Sequence, residues 1–162
     1  MYEIYNSIHY YYFIGKMRIL RSISVNKNLD NYFRVFIEQK YGSLWGNYSR
    51  EVENAMLVEM AWWRYTPFDE IGFLRRTEQR SRSAFSRVFR GKQVLRVIKI
   101  DPVLDATFKS FVLLSSGRVW GSYSSSIESG MALLMLLSRF KPFEEVVKSA
   151  GSTSLRHRVG QL

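Results

Sequence analysis

Two short stretches of the chain alternate between apolar and polar residues. The first covers residues 19–25 and the second covers residues 94–100. A period of two sends successive side chains to opposite faces of a strand, so one face of each strand is predicted to be buried. A single strand leaves its backbone groups unpaired. We therefore expect each strand to pair with its counterpart.

An amphipathic helix is predicted after each strand. Asn26 and Asp101 suit the position that caps a helix, and Pro102 suits its first turn. Gly42 and Gly117 predict the end of the helix, where a left-handed residue is common. The apolar positions between cap and glycine fall at i, i+4, i+7 and i+8, on one helix face. They are Leu29, Phe33, Phe36 and Ile37 in the first copy and Leu104, Phe108, Phe111 and Val112 in the second.

A second helix is predicted after a short glycine-containing turn. Ser49 and Ser124 suit its N-terminal cap. Trp45 and Trp120 are expected to wedge the turn against the helices. The inner face of the second helix is predicted to consist of Val52, Met56, Met60 and Trp63 in the first copy and Ile127, Met131 and Met135 in the second.

These two sets of elements belong to one motif that occurs twice, 75 residues apart. Residues 21–71 align with residues 96–146 without a gap, and 18 of the 51 aligned positions are identical. Pro67 and Pro142 predict that the second helix ends before them, and Phe68 and Phe143 are expected to fold back onto the core. The duplication suggests that a unit which works as a pair has been fused into one chain.

The distribution of charge points to a polyanionic partner. The net charge is +10, and residues 72–95, between the copies, contribute seven basic residues and one acidic residue. Residues 147–162 add three basic residues and no acidic one. Basic segments that flank nearly neutral folded units suit nucleic acid, although a surface excess of cations also serves solubility.

Several classes of function lack the residues they need. The chain has no cysteine and two histidines, His9 and His157, which leaves little material for a zinc site or a catalytic triad. Glu51 with Glu53, and likewise the neighbouring carboxylates near Pro67, are explained as solvated charge. No glycine loop or nucleophile elbow accompanies them. We therefore expect no enzyme activity, no metal and no cofactor.

The sequence also favours a cytoplasmic location. The longest apolar run, Met131–Leu137, has seven residues. That is far below the roughly 18 residues needed to cross a bilayer, so no membrane partner is expected. The aromatic N-terminus carries Glu3 and no basic start, which does not fit a signal peptide.

The order of strand, helix, glycine turn and helix resembles the ribbon-helix-helix DNA-binding family, the class of the Arc and MetJ repressors. The type closest to this chain is that of crenarchaeal plasmids and viruses. The resemblance is carried by S-I-S-V-N-x-x-L-D-x-x-F-x-x-F-I-x-x-K-Y-G-S-L-W-G-N-Y-S from residue 22 onward, and it covers residues 18–64 and 93–139. It implies a mainly α fold with a two-stranded antiparallel β-ribbon, in which tandem repeats form an intramolecular pseudo-dimer. Pairing between two chains is the alternative.

The resemblance implies a division of the chain into five segments. They are an aromatic N-terminal segment (1–17), repeat 1 (18–71), an Arg-rich and partly helical connector (72–92), repeat 2 (93–146) and a basic flexible tail (147–162).

The resemblance also implies which residues would touch double-stranded DNA, because the ribbon of this family enters the major groove. The outward strand residues would read the bases: Ser22, Ser24, Val97 and Lys99. Val97 departs from the polar readers expected there. The phosphate-binding residues would be Arg18, Arg21, Arg96, Asn47, Ser49, Ser122 and Ser124, together with Arg75, Arg76, Arg80 and Arg82 of the connector.

The function expected from the resemblance is that of a transcriptional repressor which reads an imperfect palindrome, because the two strands differ. One alternative is a DNA-organising accessory factor in plasmid partition or conjugation. Another is a viral interaction or inhibitor module that uses the fold without DNA. The apolar second helix of repeat 2, where Leu134 replaces Glu59 of repeat 1, suggests self-association as well.

Overall fold

Two strands and five helices make up the part of the chain that the structure, a computed structural model, describes: residues 17–63, 65 and 91–149. The elements are β1 (Ile19–Asn26), α1 (Lys27–Tyr41), α2 (Asn47–Trp62), β2 (Gln93–Ile100), α3 (Pro102–Ser116), α4 (Tyr123–Leu137) and α5 (Lys141–Ser149). This part of the chain is thus mainly helical and contains one two-stranded antiparallel sheet, as expected. Predictions made for several segments lie outside the described residues: the aromatic N-terminal residues, Pro67, Phe68, the carboxylates Asp69 and Glu70, the connector arginines and the tail from residue 150.

The two strands form a ribbon of eight residue pairs, with Ser22 opposite Val97 near its centre. Ser22 and Val97 are 75 residues apart, so the same position of both repeats meets there. The inward residues pack on the helices, which confirms the predicted burial of one strand face. The fully buried inward residues are Ile23, Val25, Ile98 and Ile100.

The first helix of each repeat begins and ends where the sequence predicts. The side chain of Asn26 accepts hydrogen bonds from two backbone N–H groups at the start of α1, at 2.9 and 3.3 Å. Asp101 does the same at the start of α3, with both distances 2.9 Å. Gly42 and Gly117 end these helices in the left-handed region, at φ 71° and 73°. These four residues are confirmed as caps.

The second helices begin earlier than predicted. Gly46 and Gly121 take φ values of 75° and 79°, so the chain can turn into the helix at once. Ser49 therefore lies inside the first turn of α2, and neither second helix has a side-chain cap. The prediction that Ser49 and Ser124 cap these helices is wrong, and their hydroxyl groups bond elsewhere.

The two second helices cross in close contact. A Cβ atom added to Gly130 of α4 would lie 2.2 Å from the backbone oxygen of Ala55 in α2. Ala55 and Gly130 are again 75 residues apart. Met56 and Met131 beside them are fully buried. The helices can approach this closely because residue 130 has no side chain.

An aromatic residue after each second helix packs on the first helix of the other repeat. Tyr65 lies with its ring centre 5.4 Å from that of Phe111, and Phe140 lies 5.6 Å from Phe36. Phe143 is fully buried against Tyr32, which confirms that it folds back onto the core. These contacts make one core from both repeats.

Helix α5 is not predicted by the sequence pattern, which places only a post-helix segment around Pro142. In the structure α4 ends at Leu137 and Pro142 lies in the first turn of α5, a position that needs no backbone N–H donor. Four residues of the apolar run in α4 are buried inside the chain: Met131, Ala132, Leu133 and Met135. Much of the apolar surface from which self-association was expected is therefore used within the chain.

Candidate nucleic-acid interface

The ribbon presents one face to solvent, which we call the outer face. It consists of Leu20, Ser22, Ser24, Gln93, Leu95, Val97 and Lys99, all exposed. The four predicted base-reading residues, Ser22, Ser24, Val97 and Lys99, thus lie together on this face. Of the seven residues, one is cationic and none is acidic. Such a face can approach a negatively charged surface without repulsion.

The start of each second helix lies at one edge of the ribbon. The backbone N–H of Lys99 donates to Ser49 Oγ at 3.0 Å, and that of Ser24 donates to Ser124 Oγ at 3.1 Å. The two predicted phosphate-binding serines therefore accept hydrogen bonds from backbone N–H groups at the edges of the strands, instead of capping the helices. The bonds also place the N-terminus of α2 beside β2 and that of α4 beside β1.

The other predicted phosphate-binding residues near these helix starts have different surroundings. Asn47 donates from its side chain to the backbone oxygen of Ser43 at 3.0 Å. The backbone N–H of Ser122 donates to the carbonyl of Val119 at 3.2 Å. Both residues thus help to close the turn before the helix.

Arg21 is held by a carboxylate from the other repeat. Its guanidinium donates to Asp105 at 2.7 Å, and the Tyr123 hydroxyl donates to the same carboxylate at 2.7 Å. Burial by itself raises the pKa of Asp105, but hydrogen bonds from Arg21, Lys109 and Tyr123 outweigh it and hold that pKa at about 2. Burial, with the bond to the carboxylate, raises the pKa of Tyr123 above its ordinary value.

The same network occurs a second time with the repeats exchanged. Arg96 of repeat 2 pairs with Asp30 of repeat 1, and the Tyr48 hydroxyl donates to Asp30 at 2.6 Å. Asp30 and Asp105 are both buried. These carboxylates explain why an arginine occurs on the inward face of each strand, where an unpaired charge would destabilise the fold.

Arg18 also has an acidic partner, since it pairs with Glu53 of α2. The three predicted phosphate-binding arginines that the structure describes, Arg18, Arg21 and Arg96, therefore form ion pairs within the chain. Their phosphate contacts stay a prediction. The connector residues Arg75, Arg76, Arg80 and Arg82 lie outside the described residues.

The two turn tryptophans do not wedge the turn against the helices, so that prediction is wrong. Trp45 and Trp120 are each 92% exposed. The space behind each turn is filled by the tyrosine that follows. Tyr48 packs edge-on against Phe33 with ring centres 5.7 Å apart, and Tyr123 packs the same way on Phe108 at 5.5 Å. Folding therefore leaves both indole rings free to contact a partner.

The interpretation of Glu51 and Glu53 as solvated charge is also wrong. Both residues are buried, and Glu51 accepts hydrogen bonds from Lys40 at 3.2 Å and from the Tyr41 hydroxyl. Glu53 accepts the backbone N–H of Asp101 at 2.7 Å. These carboxylates tie elements together.

Six residues whose role the sequence pattern did not reveal share one signal. Each is identical in both repeats and each joins one repeat to the other or braces that contact. They are Asp30 with Asp105, Tyr48 with Tyr123, and Glu53 with Glu128. Glu128 accepts the backbone N–H of Asn26, just as Glu53 accepts that of Asp101. Identity between the copies at polar positions is thus the feature that could have identified them.

Within the described residues, no group of three or more histidine, aspartate or glutamate side chains could hold a metal ion. No helix in this part of the chain has both the length and the apolar character to cross a membrane. Comparisons with family models, with curated proteins and with solved structures found no match for the chain.

Proposed function

We propose that this chain is a sequence-specific double-stranded DNA-binding protein of the ribbon-helix-helix type, in which two repeats form an intramolecular pseudo-dimer. The observation that carries the proposal is the exposed two-stranded ribbon with a helix N-terminus at each edge. A two-stranded ribbon fits the width of the major groove. Helix N-termini on either side suit the flanking phosphates, because they carry partial positive charge.

The pairing of the repeats is supported by contacts that occur twice. The pair of Arg21 with Asp105 has its counterpart in Arg96 with Asp30, and the bond to Ser124 has its counterpart in the bond to Ser49. In each case the members of one pair lie 75 residues from those of the other. Contacts that cross between the repeats in this way are those expected of a fused two-fold dimer.

The target we propose is an imperfect palindrome. The ribbon is antiparallel, so equivalent outward residues face the two half-sites. Ser24 of repeat 1 corresponds to Lys99 of repeat 2, and lysine can donate to guanine where serine is adaptable. The two half-sites should therefore differ. Occlusion of a promoter by such a complex is the simplest mechanism of repression, and organisation of DNA for another protein uses the same contacts.

Gel retardation with a selected duplex and a scrambled duplex of the same composition tests the proposal. At physiological salt the selected duplex should bind about 10³-fold or more tightly than the scrambled one. Lys99→Ala should weaken the selected complex, whereas Lys148→Ala on α5 removes the same charge away from the ribbon and should have little effect. Equal affinity for both duplexes would refute sequence-specific binding.

One observation favours a second candidate, an interaction module that binds protein instead of DNA. Part of the outer face is apolar and would also suit a protein partner, because it exposes Leu20, Leu95 and Val97. This candidate predicts no retardation of any duplex, even at low salt where electrostatic binding is strongest. The same gel experiment therefore separates the two candidates.

A further inference from the structure

Three aliphatic side chains on the outer face are exposed without serving the fold. Leu20, Leu95 and Val97 are 62%, 69% and 62% exposed. A single exposed leucine is ordinary on a protein surface, but three on one face of a two-stranded ribbon form an apolar patch. The core is made by the opposite strand face, so polar residues at these three positions would serve the fold equally well. We therefore interpret their apolar character as that of a binding surface.

The register of the strands gives these side chains a symmetric layout. Val97 lies opposite Ser22 at the centre, Leu20 lies opposite Lys99, and Leu95 lies opposite Ser24. Leu20 and Leu95 are thus diagonal to each other across the ribbon. Leu95 lies opposite Ser24, which is four residues beyond Leu20, so the two leucines are about 13 Å apart along the ribbon at roughly 3.3 Å per residue. This distance corresponds to about four base-pair steps along DNA.

The geometry points to a specific kind of base recognition: the outer face reads the C5-methyl groups of thymine. This inference rests on the proposed DNA-binding function and deepens it. Of the groups that base edges present in the major groove, the thymine methyl is the apolar one, and aliphatic side chains are suited to contact it. Leu20 and Leu95 contact thymines about four steps apart, one in each half-site, and Val97 contacts a thymine between them.

The charge of the outer face supports DNA as the occupant of this patch. Lys99 lies directly opposite Leu20, and the face carries no acidic residue. The chain as a whole has a net charge of +10. A cation beside the aliphatic residues suits a groove lined by phosphates.

Replacement of thymine by deoxyuridine tests the inference, because it removes the methyl group and leaves base pairing intact. The probe is the duplex selected from random DNA, with the thymines of its core replaced one at a time and then together. Each methyl lost from a buried contact should weaken binding about fourfold, from roughly 0.8 kcal/mol per buried carbon. Loss of all three should weaken binding by some tens of fold.

Variants of the outer face identify which side chain reads which methyl. Leu20→Ala should bind the thymine and deoxyuridine duplexes equally at one position and keep the preference at the others. Leu57→Ala makes the same change at an exposed leucine of α2 and should keep the full preference. Equal affinity of the unaltered protein for both duplexes would overturn methyl reading while DNA binding stands. No retardation of any duplex would overturn the proposed function as well.

Discussion

The contact between the two second helices makes Gly130 the position where a very small change should have a large effect. In Gly130→Ala the added Cβ would lie 2.2 Å from the backbone oxygen of Ala55 and 2.8 Å from its carbonyl carbon. Ordinary contacts between such atoms are about 3.5–4.0 Å. The atoms in the way are backbone, so they cannot rotate aside as a flexible side chain could.

Two opposing effects decide the size of the loss. Alanine inside a helix is favoured over glycine by about 0.5–1 kcal/mol. Overpacking of a closely packed core costs typically about 1–3 kcal/mol, and contact with backbone places this site at the upper end. We therefore expect Gly130→Ala to lower the free energy of unfolding by about 2 kcal/mol. For a chain of this length that corresponds to a fall in Tm of about 4–8 °C.

Urea denaturation followed by circular dichroism measures this change. Ser125→Ala is the matched control, because it places alanine at an exposed position of the same helix. It should alter the free energy of unfolding by no more than about 0.5 kcal/mol. If Gly130→Ala unfolds at the same urea concentration as the unaltered protein or a higher one, the helices do not cross as closely as described.

Two further predictions concern the turns and the ion pairs. Trp45 and Trp120 are exposed, so Trp→Ala at either position should change the free energy of unfolding by less than about 0.5 kcal/mol in urea denaturation. As the control, Phe33→Ala should lower the free energy of unfolding by about 3–5 kcal/mol. A large loss of stability at either tryptophan would contradict the exposure of the turns. The pKa of Asp105 lies at about 2, below its ordinary 3.8, so its contribution to stability is present above about pH 4 and is lost as pH falls through 2. Asp105→Asn should remove this part of the acid dependence when unfolding is measured from pH 5 to pH 2, and an unchanged pH profile would show that the pair with Arg21 does not stabilise the fold.

Local elements of the fold were predictable because short-range patterns determine them. The alternation of apolar and polar residues predicts which face of each strand is buried. The helix caps follow from the conformational and hydrogen-bonding preferences of the residues there, which are Asn26, Asp101, Gly42 and Gly117. Duplication of the pattern added what one copy could not show. It identified the partner of each strand, and the pairing of β1 with β2 agrees with it.

Features that depend on contacts distant in sequence were not predictable in the same way. Trp45 is exposed while Tyr48 packs against Phe33 of α1, and the buried Glu53 accepts the backbone N–H of Asp101, which follows β2. Helix α5 contains Pro142 in its first turn, and a proline suits the first turn of a helix as well as the position after a helix end. The strand pattern gives no reason for an arginine at position 21 on the buried face, whereas the ion pair with Asp105, 84 residues away, does.

Selection of bound sequences from random double-stranded DNA tests most directly whether the ribbon reads bases. The unaltered protein should enrich an imperfect palindrome. Ser24→Ala and Lys99→Ala should each change the preferred bases in one half-site, while Lys148→Ala should enrich the same sequences as the unaltered protein. If all three variants enrich the same bases as the unaltered protein, or if nothing is enriched, the ribbon is not the element that recognises DNA.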